Sequence, residues 1–130
     1  MEIKIPLFVK VAKKADGKKY ALNLNYYRNW HFQTSNAVKQ KFCENMECIL
    51  SGVKFKLPIE IKFKLFKSSN RHIDRSNILS IAEKFFCDAL VHYGCIPDDN
   101  DNYILATHYR TGGVDKENPR IEITIDEVLL

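Results

Sequence analysis

In residues 1–11 the apolar side chains Ile3, Ile5, Leu7, Val9 and Val11 fall on every second position, with Lys4 and Lys10 between them. That period predicts a strand. Residues 13–19 (Lys13-Lys14-Ala15-Asp16-Gly17-Lys18-Lys19) form a basic turn, and residues 20–25 predict a second strand that runs into an irregular stretch, Tyr26-Tyr27-Arg28-Asn29-Trp30-His31. Thr34-Ser35-Asn36 offers an N-cap cluster for a helix over 36–50, whose Val38, Phe42, Met46, Ile49 and Leu50 share one side. Ser51-Gly52 ends it.

Alternation returns over 53–67, where Val53, Phe55, Leu57, Ile59, Ile61, Phe63 and Leu65 oppose Lys54, Lys56, Lys62 and Lys64. This predicts a long strand with one apolar and one strongly cationic face, and Pro58 marks an edge or a bulge. A second helix is predicted over 76–92, with Gly94 at its C-terminal cap. Two last strands, 103–111 and 120–125, flank a Gly112-Gly113 loop. The expected fold class is α+β: one small domain spanning 1–130, with a mixed sheet of about five strands and two helices.

The composition, 45% hydrophobic and 28% charged, excludes a disordered chain. No apolar run reaches the ~20 residues of a membrane helix, and the N-terminal residues lack a signal-peptide core, so neither membrane insertion nor secretion is expected. Cys43 and Cys48, and Cys87 and Cys95, lack C-x-x-C spacing, so reduced, mostly buried thiols in a cytoplasmic protein are expected. The net charge of +4 conceals an asymmetry: residues 1–73 carry 15 Lys/Arg against 5 Asp/Glu, and residues 74–130 carry 5 against 11. A basic part attracts a polyanion and an acidic part can hold divalent cations, which suits a metal-dependent enzyme acting on nucleic acid. It also suits an ordinary protein whose halves pair with each other, the reading that charge alone favours.

The candidate chemistry lies in residues 71–102. On the second predicted helix Asn77, Ser80, Lys84 and Asp88 fall within about 80° of one another and make a polar stripe. Asp74 precedes this helix, and Asp98-Asp99-Asn100-Asp101 follows its end. Carboxylates converging from the two ends would give Mg²⁺ the hard oxygen ligands it requires, and a lysine beside them would offset charge developing on a phosphodiester. The competing reading makes Asp74 a helix cap paired with Arg75 and residues 98–100 a solvated turn. The acidic run lacks the spacing and terminal glutamate of an EF-hand loop.

The stretch Asp74-Arg75-Ser76-Asn77 … Lys84-Phe85-Phe86-Cys87-Asp88-Ala89-Leu90 … Gly94-Cys95-Ile96-Pro97-Asp98-Asp99 resembles the central motif of the RusA family of Holliday junction resolvases. That motif is D-x-D-N, a lysine, an aspartate four residues later followed by Ala-Leu, then a glycine and a D-D pair. Leu24-Asn25-Tyr26-Tyr27-Arg28 is similar to the family's early Asn-aromatic-basic segment, and the final strands fit as well. The resemblance implies a phage- or prophage-encoded endonuclease in a bacterial cytoplasm, dependent on Mg²⁺ or Mn²⁺. It further implies a homodimer that nicks two strands of a four-way DNA junction. It assigns Asp74, Lys84 and Asp99 to catalysis, Asp74, Asp88, Asp98 and Asp99 to the metal, and Asn77 to a supporting role. Two departures stand out. Ser76 replaces the second aspartate of D-x-D-N. Lys84 follows Asn77 by seven residues where the family has three, which keeps it on the asparagine's face but ~6 Å further along the helix, while Ser80 holds the usual place.

Lys10, Lys13, Lys14, Lys18, Lys19 and Arg28, with Lys62 and Lys64 on the long strand, are the DNA-backbone candidates; a solvated surface explains the same residues. Tyr26, Tyr27 and Trp30 suit either stacking on unpaired bases or packing in a core or dimer interface. His31, His72, His92 and His108 lack zinc or triad spacing. Cys87, beside Phe86, reads as core. Two further readings stay open: a branched-DNA-binding protein of the same fold without catalysis, and a basic protein-interaction domain.

Overall fold

The computed structural model describes residues 1–11 and 17–130. The alternating N-terminal stretch forms two strands. β1 (Glu2–Ile5) and β2 (Phe8–Val11) are separated at Pro6, which has no N–H to donate to a ladder. β1 joins the main sheet, whereas β2 pairs antiparallel with β3 (Lys18–Ala21) in a separate two-stranded ribbon. The second predicted strand ends early. Asn23 turns the chain by accepting from the backbone N–H groups of Asn25 (2.9 Å) and Tyr26 (3.4 Å), which caps α1 (Leu24–Asn29).

α2 (Phe32–Asn45) begins before the Ser/Thr/Asn cluster, with the His31 imidazole Nδ1 accepting from Gln33 N–H. Met46 separates it from α3 (Glu47–Leu50). The long predicted strand is shorter than its pattern, because β4 (Ile59–Lys67) starts only after Pro58. Residues 53–58 are a connector: Phe55 N–H donates to Cys95 O, and Lys56 and Leu57 N–H donate to the Glu127 carboxylate. Lys54 and Lys56 therefore leave the strand.

α4 (Arg75–His92) ends in a full Schellman motif. Gly94, at φ +72°, donates to Val91 O and Cys95 donates to Leu90 O. β5 (Ile104–Val114) and β6 (Arg120–Glu127) complete a mixed sheet in the order β1-β6-β4-β5, with β4 parallel to β5 and antiparallel to β6. Pro58 thus precedes a central strand, whose register shifts at Ile59/Glu60 just behind it. The expected Gly112-Gly113 loop is part of β5.

The observed architecture is α+β, with four strands in the main sheet, two in the ribbon, and two short helices beyond the two predicted. α4 covers one face of the sheet, where Ile59, Ile61, Phe63 and Leu65 of β4 and Ile121, Ile123 and Ile125 of β6 are buried against Leu79, Ala82, Phe86 and Leu90. Phe63 and Phe86 meet edge to face at 6.1 Å. Around this core no helix of the described residues is long and apolar enough to cross a membrane.

Candidate active site

α4 and β5 run in opposite directions with a groove between them, and two clefts lie end to end along it. The first, about 500 Å³, is lined by Lys67, His72, Asp74, Ser76, Tyr109 and Thr111 among others. The second, about 380 Å³, is lined by Glu83, Lys84, Cys87, Asp99 and Asp101 with residues 104–107 of β5. The Tyr109 hydroxyl donates to Glu83 Oε1 at 3.2 Å and bridges from one cleft to the other. Burial, then the neighbouring Glu83 charge, raises the Tyr109 pKa well above its ordinary value, so the phenol stays a donor.

The two ends of the predicted site are therefore brought to one groove but not to one point. Asp74 lines the first cleft and Asp99 the second. Asp74 occupies the N-cap position of α4, yet its carboxylate makes no capping hydrogen bond among the described residues; its backbone oxygen accepts from Asn77 N–H at 3.0 Å. No ion pair joins it to Arg75 among the described residues. Asp74 thus stands at the cap position that the capping reading gives it, without the side-chain bond, and it lines the first cleft. Ser76, in the place of the missing aspartate, lines the same cleft.

Asp98 is held locally, accepting from Asp99 N–H (2.8 Å) and from the Asn100 amide (3.2 Å), which is the turn chemistry expected of an aspartate there. Its neighbour Asp99 is the member of the pair that lines a cleft. Asp88 points to α2 and pairs with Lys39 at 2.8 Å. That bond to Asp88 is the chief reason the Lys39 pKa is raised.

Asn77 and Lys84 share the outward side of α4, with Lys84 exposed. Ser80, on the same stripe, has a buried hydroxyl oxygen that finds no partner among the described residues. Cys87 is buried, its thiol pKa pushed up to about 12 by burial first and then by the charges of Glu83, Asp99 and Asp88. A thiol so protonated is no nucleophile, in agreement with its reading as core.

Among the described residues no group of three or more His, Cys, Asp or Glu stands in position to cage a metal ion. The predicted set of Asp74, Asp88, Asp98 and Asp99 is dispersed over two clefts, a turn and an interhelical pair. The donors of the second cleft nonetheless suit Mg²⁺ or Mn²⁺, which bind through one or two carboxylates with water and substrate phosphate filling the rest. Asp99, Asp101 and Glu83 are hard oxygen donors there. Sequence spacing missed Glu83, because it lies outside the polar stripe, and Tyr109, because only the strand pairing turns it toward α4.

Of the DNA-backbone candidates, Lys10, Lys18 and Lys19 lie on the ribbon and Arg28 on α1, all four exposed. Lys13 and Lys14 lie outside the described residues. Lys62 and Lys64 are exposed on the sheet face away from α4, but that face is not uniformly cationic. Glu122 stands opposite both Lys64 and Lys4, and Asp126 and Glu60 pair in register beside them. Glu122 and Asp126 come from β6, which a strand-by-strand reading of β4 cannot place.

Compared with known proteins, the chain matches no protein-family model and no curated protein sequence.

Proposed function

We propose that the chain is a metal-dependent, structure-selective DNA endonuclease of the RusA type, acting as a homodimer on four-way junctions. The observation that carries this reading is the second cleft. Lys84 and Asp99 are 15 positions apart in the sequence, both assigned to catalysis by the resemblance, and they line one hollow at the open side of β5.

When bound, Mg²⁺ or Mn²⁺ supplies Lewis acidity toward the scissile phosphodiester and lowers the pKa of the attacking water. Asp99, with Asp101 or Glu83, is the set that would hold it. The chain's own contributions are electrostatic and positional. The Lys84 ammonium draws a phosphate to the cleft and offsets the negative charge that grows on its oxygens in the transition state. The Tyr109–Glu83 hydrogen bond fixes the Glu83 carboxylate at the cleft wall. Asp74, which the resemblance assigns to catalysis, lines the neighbouring cleft of the same groove.

The dispersal of the four aspartates favours one second reading: a branched-DNA-binding protein of the same fold that has lost turnover with Ser76. The test is cleavage of a synthetic four-way junction and of linear duplex with Mg²⁺, Mn²⁺ or EDTA. Paired nicks in the junction alone, dependent on metal, are the expected result. Binding without cleavage in either metal establishes the second reading, and no DNA binding even at low salt overturns both. Ser76→Asp places a second carboxylate beside Asp74; gain of metal affinity on this change would locate the metal in the first cleft instead.

A further inference from the structure

A third cleft, about 490 Å³, is lined by residues of the ribbon, of α1 and of the start of α2. Its volume is in the range of small-ligand sites. Lys18 and Lys19 of β3, Tyr26 and Trp30 at α1, and His31 and Thr34 at α2 line it, and no carboxylate among the described residues does.

The aromatic residues here divide into two groups. Tyr27 is committed to the core, edge to face with Trp30 (6.0 Å) and with Phe85 (5.9 Å). Trp30 is further clamped by Tyr20 at 5.4 Å and an interplanar angle of 84°. Tyr26, by contrast, is 56% exposed at the mouth of the cleft, with no aromatic neighbour. An exposed phenol ring on a short, capped helix is a rigid apolar platform beside a fixed indole.

The cations are placed at a cost. Lys10 and Lys19 stand directly opposite each other in the β2–β3 ladder, a like-charge pairing that weakens a sheet. Lys18 Nζ lies 5.2 Å from the Tyr20 ring centroid, and Lys19 Nζ lies 4.5 Å from that of Phe8. Each ammonium thus sits over a ring, Lys18 on the Tyr20 face of the ribbon and Lys19 on the opposite face with Phe8 and Lys10. An anion beside Lys19 relieves its repulsion from Lys10. His31 spends Nδ1 as the acceptor that caps α2, which leaves Nε2 as a donor at the cleft.

We infer that this cleft takes an unpaired nucleotide, its base stacked on Tyr26 and its phosphates held by Lys18 and Lys19. Stacking reads any base, and phosphate contacts read no sequence, so the site recognises single-strandedness. This rests on the branched-DNA reading and sharpens it, since a junction that opens at its branch point exposes such nucleotides.

Trp30 is the single tryptophan of the chain, which makes it a reporter. The experiment titrates the protein with a short oligothymidylate, with an abasic oligonucleotide of the same length and with duplex, following Trp30 fluorescence and, in parallel, junction binding by anisotropy. The expected result is Trp30 quenching by oligothymidylate, little by the abasic strand or duplex, and about tenfold weaker binding of oligothymidylate by Tyr26→Ala. Lys18→Gln/Lys19→Gln should weaken both single strands alike. Equal response to the abasic strand, or unchanged affinity in Tyr26→Ala, overturns the inference. Junction binding with no oligothymidylate binding would sink this site and spare the endonuclease reading. Oligothymidylate binding through Tyr26 with no junction binding would do the reverse.

Discussion

Asp88 meets the Lys39 ammonium at 2.8 Å, whereas Asp99 lines the second cleft beside Lys84, and the two aspartates should respond differently to neutralisation. Asp99→Asn should abolish junction cleavage and leave binding unchanged or tighter, because a charge that repels phosphate is gone. Asp88→Asn should reduce cleavage less than tenfold and lower stability by about 0.5 kcal/mol, the scale of a partly exposed ion pair. Parallel nicking assays and urea titrations distinguish the pair; the reverse order of activity loss would make Asp88 the metal residue. The cysteines supply a second contrast at this scale. Cys48 is exposed, whereas Cys87 is buried with its pKa near 12 and burial also raises the Cys43 and Cys95 pKa values. With a disulfide reagent at pH 8, Cys48 should react first and Cys87 only at the rate of unfolding. Fast labelling of Cys87 would show that the second cleft opens to its floor.

The junction of β4 and β5 turns on Gly112. Leu65 pairs with Thr111 and Phe66 with Gly113, so Gly112 is the extra residue of a bulge, and the Phe66 ring lies where its Cβ would be, at 2.6 Å. The same ring stacks on the Arg120 guanidinium at 3.9 Å, and Arg120 in turn bonds Asp115 and Glu122 at 2.8 Å each. Gly112→Ala must push the ring off its arginine. The expected cost is about 1–3 kcal/mol in urea unfolding, the scale of an overpacked contact, and a neutral change would mean the ring is free to swing out. The pair Gly112-Gly113 reads as a loop in sequence because two glycines are the commonest turn signal; only the cross-strand aromatic reveals the bulge. α4 was legible from end to end, since its apolar period, Asp74 boundary and Gly94 cap all agree. α1 was not, because Leu22 and Leu24 alternate like a strand until the Asn23 side chain caps a helix instead. At the site, Lys84 and Asp99 were found as residue types at suggestive spacings. Their meeting in one cleft, and the separation of Asp74 from them, depend on β5 running antiparallel to α4, which no local pattern encodes.

Across the molecule the charge asymmetry of the chain is folded together. β4, from the basic part, lies between β5 and β6 from the acidic part, and Lys62 and Lys64 share their face with Glu60 of β4 itself, Glu122 and Asp126 of β6, and Arg110 of β5. The ribbon has no such neighbours among the described residues: Lys10, Lys18 and Lys19 share it with no carboxylate in register. Polyanion affinity should therefore concentrate on the ribbon side, and its salt dependence gives the measure, since each phosphate neutralised steepens the fall of log affinity with log salt by about 0.9 on duplex DNA. With a labelled four-way junction titrated between 50 and 200 mM salt, a span over which phosphate contacts weaken binding by about 10³ or more, Lys18→Gln/Lys19→Gln should flatten the slope by about one to two contacts. Lys62→Gln/Lys64→Gln should flatten it by less than one, because Glu60, Glu122 and Asp126 on the same face repel phosphate. Equal flattening by the two double variants would place DNA on the open sheet face as well, and would require the junction to wrap from the ribbon around β1.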